Sequence, residues 1–175
     1  MGTYLNVGNE GFQSVRKGLY VDKSGLISYI NRTLGTKNKL TCVSRPRRFG
    51  KSYATQMLCA YYDKSCHSRE LFSDLKIACD ETFESYLNQY DVIYLDLIWF
   101  ISTTPDIRYT VKHLQDQVME ELCQIYHFDK KEYSLPMMLM KIHEATGGKF
   151  IFIIDEWDAL FREAKEEIGL QKEYV

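Results

Sequence analysis

Apolar positions recur along the chain in two distinct rhythms. Leu26, Ile27, Ile30 and Leu34 fall on one face of a helical period that Asp22 or Ser24 can open and Gly35 can stop. From Lys51 to about Asp63 the residues Ala54, Met57, Leu58 and Tyr61 repeat the pattern. Pro105-Asp106 opens a longer helix with Val111, Leu114, Val118, Leu122 and Ile125 on its inner side. Another helix is expected from about Leu135 to Ala145, ended by Gly147-Gly148. Three short runs instead read as buried strands: Leu40–Val43, Val92–Ile98 and Phe150–Ile154, the last followed by Asp155-Glu156 and a charged helix to about Gly169. Residues 1–20 are polar and punctuated by glycine, and read as an irregular arm.

Strands that alternate with helices across long crossovers define an α/β fold with a parallel sheet flanked by helices. The 175 residues fit a single domain, with neither an internal repeat nor a linker rich in Pro, Ser or Gly. Hydrophobic residues make up 45% and charged residues 26%, which excludes a collagen-like or wholly disordered chain. The net charge of −2 supplies no global basic field for a polyanion. The first residues lack the apolar run of a signal peptide, and no segment is long and apolar enough for a membrane span. Five cysteines without C-x-x-C spacing suit reduced thiols, so a cytoplasmic location is expected. The Asn31-Arg32-Thr33 sequon then carries no meaning.

The segment Ser44-Arg45-Pro46-Arg47-Arg48-Phe49-Gly50-Lys51-Ser52, between an expected strand and an expected helix, carries the chemistry. It matches the phosphate-loop (Walker A) pattern G-x-x-x-x-G-K-S/T except that Arg45 stands at the first glycine. Gly50 lets the backbone curl so that successive N–H groups converge on phosphate oxygens. The helix that begins at Lys51 adds its positive end, Lys51 reaches the β- and γ-phosphates, and the Ser52 hydroxyl is a hard ligand for Mg²⁺. Asp155, at the end of an apolar strand, is the second acid (Walker B) that such a site needs, and Glu156 is the residue type that orients attacking water. The blander readings are a surface turn with a chance G-K-S, and a helix start where carboxylates are ordinary.

Four segments, Tyr20–Ser24, Ser44–Ser52, Val92–Asp96 and Ile153–Asp158, resemble the AAA-ATPase-like family of bacterial proteins, in which a Y-V/I-D-K-T/S element precedes an R-P-R-R-F-G-K-S loop. Arg45 at the first-glycine position is therefore the pattern of the family. The resemblance implies ATP and Mg²⁺ as ligands, bound by Pro46, Arg47, Arg48, Phe49, Gly50, Lys51, Ser52 and Tyr53, with Ser52 and Asp155 on the metal and Lys51 and Glu156 in hydrolysis. It gives Asp22 and Lys23 no role. Such proteins often continue into a PD-(D/E)XK nuclease-like domain. In related ATPases a later strand lies between the loop-bearing strand and the Asp-Glu strand. On that basis residues 1–175 are expected to be a single P-loop domain truncated after the strand that ends at Asp155, with an unfilled sheet slot, a fused or associated nuclease-like partner, and a tendency to form homo-oligomers. The rival to hydrolysis is a non-catalytic nucleotide switch or scaffold.

Other signals carry less. Pro105-Asp106 with Asp129-Lys130-Lys131 imitates a nuclease signature, but both pairs sit at expected helix ends. Cys66-His67 lacks partners at ligand spacing, and Tyr61-Tyr62 and Trp99-Phe100 are read as core or rim packing. Arg45, Arg47, Arg48 and Lys51 form the one basic cluster, which a phosphate loop explains without direct nucleic-acid binding.

Overall fold

A computed structural model describes residues 2–44, 49–128, 133–165 and 168–174. Helices α1 (Glu10–Lys17), α2 (Gly25–Thr33) and α3 (Lys51–Tyr62) are followed by the short α4 (Arg69–Phe72), a 3-10 turn at Lys76–Cys79 and α5 (Phe83–Tyr86). Strand β1 (Asp91–Asp96) leads into α6 (Leu97–Thr103), a 3-10 turn at Ile107–Tyr109, α7 (Thr110–Tyr126) and α8 (Leu135–Thr146). Strand β2 (Phe150–Asp155) is followed by α9 (Ala159–Glu163) and α10 (Ile168–Tyr174). The chain is therefore α/β. The two strands pair in parallel, in register from Asp91 opposite Phe150 to Asp96 opposite Asp155.

Strand alternation sorts side chains into two cores on opposite faces of the sheet. Val92 and Ile153 join α3 residues Met57 and Tyr61, with Phe12, Ile27 and Phe72, in one core. Ile93 and Leu95 join Phe100, Val118, Leu122, Met138 and Ile142 in the other. Asp155, in phase with Ile151 and Ile153, thus belongs to the α3 face. The expected faces of α2 and α7 follow the pattern, except that Ile125 is 45% exposed.

Four expectations need correction. Residues 1–20 are not simply an irregular arm, because Glu10–Lys17 is helical with Phe12 fully buried. Tyr4–Asn6 also cover the outer edge of β1: Tyr94 N–H donates to the Tyr4 carbonyl at 2.8 Å, and Asn6 N–H donates to the Val92 carbonyl at 2.7 Å. A strand at Leu40–Val43 is absent; Leu40 is 90% exposed, and the run has no ladder to join. A strand needs a neighbour to satisfy its peptide groups, and among the described residues no segment pairs with the outer edge of β2. Finally, the run Val92–Ile98 ends as a strand at Asp96, whose carboxylate accepts the N–H groups of Ile98 and Trp99 and starts α6. The expected helix to Gly169 is likewise two pieces, α9 and α10.

Candidate functional site

Of the predicted loop, Pro46, Arg47 and Arg48, together with Arg45, lie outside the described residues, as do Asp129–Lys131 of the nuclease-like pattern. From Phe49 onward the geometry is defined. Gly50 takes the left-handed conformation, with φ 73° and ψ 38°, as the residue before α3. A side chain would be strained there, and a Cβ would fall 2.4 Å from the Lys23 Nζ. The Gly50 carbonyl accepts the Ala54 N–H at 3.1 Å, so the helix is wound from its first residue. The amides of Lys51, Ser52 and Tyr53 precede that first helical bond, and a helix start leaves such groups for a ligand. Ser52 and Tyr53 are exposed, and Lys51 is half-buried.

The acidic pair meets this end of α3. The Thr55 hydroxyl donates to the Ser52 carbonyl at 2.8 Å and to Asp155 Oδ2 at 3.3 Å, across 100 residues of sequence. Asp155 is only 6% exposed, and its Oδ1 accepts the Glu156 N–H at 3.0 Å. Asp96 ends the neighbouring strand in register with it. The Tyr94 hydroxyl is pushed well above its ordinary value, first by burial and then by the charges of Asp155 and Asp96. It stays protonated and acts only as a hydrogen-bonding group.

Glu156 has φ 51°, a left-handed backbone that costs a non-glycine residue about 1 kcal/mol or more. This turn takes the chain out of β2 and sets the Glu156 carboxylate against Arg162, whose Nη2 donates to Oε2 at 2.8 Å. Arg162 Nη1 also pairs with Asp158 Oδ1 at 2.6 Å. Burial pushes the Asp158 carboxyl up, but the hydrogen bond and charge of Arg162 outweigh it, with Lys51 adding, so it titrates below the usual carboxylate range. The same pairing, first with Glu156 and then with Asp158, holds Arg162 more firmly protonated.

Gly50, Lys51, Ser52, Asp155 and Glu156 are thus gathered at one end of the sheet. Sequence reasoning missed Lys23, Thr55, Asp96 and Arg162. Asp96 and Arg162 carried usable signals, since one ends an apolar strand and the other stands four residues after an acid. Thr55 carried none, because its role depends on packing, and Lys23 was visible only as part of the Tyr20–Ser24 motif, without a role. Two depressions elsewhere, one lined by Gly2, Tyr4 and Glu121 and one by Lys64, His67 and Asn88, contain no part of this cluster. Among the described residues no three His, Cys, Asp or Glu side chains gather as metal ligands. The donor set at the α3 end is one hydroxyl and one carboxylate, both hard oxygens suited to Mg²⁺ that keeps several waters. Also among the described residues, no helix is long and apolar enough to cross a membrane.

The structure thus sets the strand-end acids of an α/β sheet against a glycine-led helix start. The family model for predicted AAA-ATPases matches residues 6–175, and the chain belongs to that family. No curated protein and no solved structure matches the chain significantly. Family membership makes it ATPase-like and nucleotide-binding.

Proposed function

We propose that the chain binds ATP with its phosphates over the N-terminus of α3 and hydrolyses the β–γ bond. The observation that carries this reading is the meeting of Thr55 and Asp155, which brings the lysine-serine end of α3 to the strand-end acids. The amides that follow Gly50 cradle phosphate oxygens, and the Lys51 ammonium pairs with the β- and γ-phosphates. Ser52 and Asp155 are the residues that would hold Mg²⁺, which supplies charge neutralisation on the phosphates. Glu156 orients a water and takes its proton as the water oxygen bonds to the γ-phosphorus and the bridging oxygen leaves with ADP. Pro46, Arg47, Arg48, Phe49 and Tyr53 complete the loop in this reading.

Binding and phosphate-release measurements on Lys51→Ala and Glu156→Gln test the proposal. Lys51→Ala should abolish ATP binding, and Glu156→Gln should keep binding but stop turnover. Equal ATP affinity in wild type and Lys51→Ala overturns it.

A second reading, a nucleotide switch without turnover, is favoured by one observation: the Glu156 carboxylate is already engaged by Arg162. Phosphate release above background that depends on Glu156 excludes it. A fused or associated nuclease-like domain and a homo-oligomer fit either reading.

A further inference from the structure

The segment Tyr20–Ser24 is tied down at nearly every residue except one side chain. The Tyr20 hydroxyl lies 3.3 Å from the Met57 sulfur on α3 and accepts the Lys23 N–H at 3.2 Å. The Asp22 carboxylate accepts the N–H groups of Ser24 at 2.8 Å and Lys76 at 2.9 Å. Burial pushes that carboxyl up, but these N–H bonds prevail and hold it below its ordinary value. Ser24 is fully buried, and its hydroxyl accepts the Ile77 N–H at 3.1 Å. Only Val21 faces solvent, at 70% exposure. What this mount presents is the Lys23 ammonium, which donates to the Phe49 carbonyl at 2.5 Å and to the Gly50 carbonyl at 3.4 Å.

We infer that Lys23 is a positioning residue of the phosphate site, gripping the carbonyl side of the Phe49–Gly50–Lys51 backbone so that its N–H groups face the bound nucleotide. The inference rests on the nucleotide-binding reading above. Its basis is peptide geometry. A trans peptide is planar, with the carbonyl and the following N–H pointing in opposite directions. Fixing the Phe49 carbonyl toward Lys23 therefore turns the Gly50 N–H away from it, and fixing the Gly50 carbonyl does the same for the Lys51 N–H. The ammonium lies where a Cβ on residue 50 would project, so glycine supplies both the left-handed turn and the space for the grip. Among the described residues no carboxylate pairs with Lys23, so its charge adds to the positive field at the start of α3. An ammonium carries three donors and no acceptor, which suits it to bind two carbonyls at once.

Lys23→Met and Lys23→Arg test this, using calorimetric affinities for MgATP and MgADP and the melting temperature of the free chain. Lys23→Met should weaken ATP and ADP by the same factor, on the order of 10-fold or more, because the amides it orients serve both nucleotides. The melting temperature should stay within about 3 °C of wild type. Lys23→Arg, which can still donate to two carbonyls, should recover part of each effect. Unchanged affinity in Lys23→Met, with binding lost in Lys51→Ala, overturns the inference while the functional reading stands. A loss confined to ATP also overturns it, because that marks a direct γ-phosphate contact. If the wild-type chain binds neither nucleotide, the functional reading fails and takes the phosphate role with it.

Discussion

Arg162 grips Glu156 and Asp158 at once, with Nη2 at 2.8 Å from Glu156 Oε2 and Nη1 at 2.6 Å from Asp158 Oδ1. The carboxylate to which the proposed mechanism assigns the water is thereby engaged by a guanidinium. Arg162→Ala should release it, so that turnover rises several-fold while ATP affinity is unchanged. The partly exposed ion-pair network should cost about 1 kcal/mol of stability when broken. Steady-state phosphate release and urea unfolding read the two effects. A fall in kcat to background would instead make Arg162 part of the machinery.

Thr55 joins the first turn of α3 to the end of β2 through one hydroxyl. Thr55→Val keeps the shape and removes both bonds. The lost bond to Asp155 should cost about 1 kcal/mol. In the proposed site its larger effect should be on Mg²⁺, since Asp155 loses one of the two donors bound to its carboxylate, a positioning role of the kind that tunes ligand carboxylates. The Mg²⁺ dependence of ATP binding should weaken in Thr55→Val and return in Thr55→Ser, as calorimetry with and without Mg²⁺ would show. Identical Mg²⁺ dependence in all three proteins refutes the role.

The buried amide of Asn31 closes a polar network inside the α3-side core. It donates to the Tyr61 hydroxyl at 3.2 Å and to the Thr82 hydroxyl at 2.9 Å, and it accepts from the Tyr62 hydroxyl at 2.7 Å. Tyr61 and Tyr62 are both pushed above their ordinary values, mainly by burial, Tyr61 to about 12. Asn31→Leu should strand the Tyr62 hydroxyl, while Tyr61 keeps its bond to the Phe83 carbonyl and Thr82 its bond to Asp80, and cost about 1–3 kcal/mol in urea unfolding. A loss below about 0.5 kcal/mol would mean that the hydroxyl finds another partner. The same burial explains why the sequon at Asn31 marks no accessible acceptor, since the side chain is 2% exposed.

What the sequence made legible was decided by local rules. Gly147 and Gly35, both at positive φ, stop helices where the pattern said they would. Phe150–Asp155 is a strand because its apolar run is bracketed by a glycine turn and an acid. The conjunction of Gly50, Lys51 and Ser52 with Asp155 was legible because each sits at the end of such an element. Leu40–Val43 shows the limit: its composition suits a strand, but strand formation depends on a neighbour that local composition does not reveal. Glu10–Lys17 was misread because its glycine and polar residues hide one decisive contact, Phe12 stacked on Phe72 at 5.1 Å. Lys23 was visible as part of a motif, but its target depends on how Tyr20, Asp22 and Ser24 are tied to distant elements.

Asp80 makes stability depend on pH in a definable window. Hydrogen bonds from Ser28 and from the side chain and backbone of Thr82 lower its carboxyl to about 2, against an ordinary 3.8, with Arg32 contributing least. A carboxyl depressed in the folded state gives stability that is fully present above its unfolded value and is lost as pH falls through the folded one. Between about pH 4 and pH 2 the unfolded chain takes up the proton first, so the native state should weaken across that interval and level off below it. Asp80→Asn removes the titration. The stability advantage of wild type over this variant, read from urea midpoints, should hold from pH 7 to about pH 5 and then shrink toward pH 2. A gap that stays constant down to pH 2 would show that the Asp80 charge does not matter and that only the shape of its hydrogen bonds does.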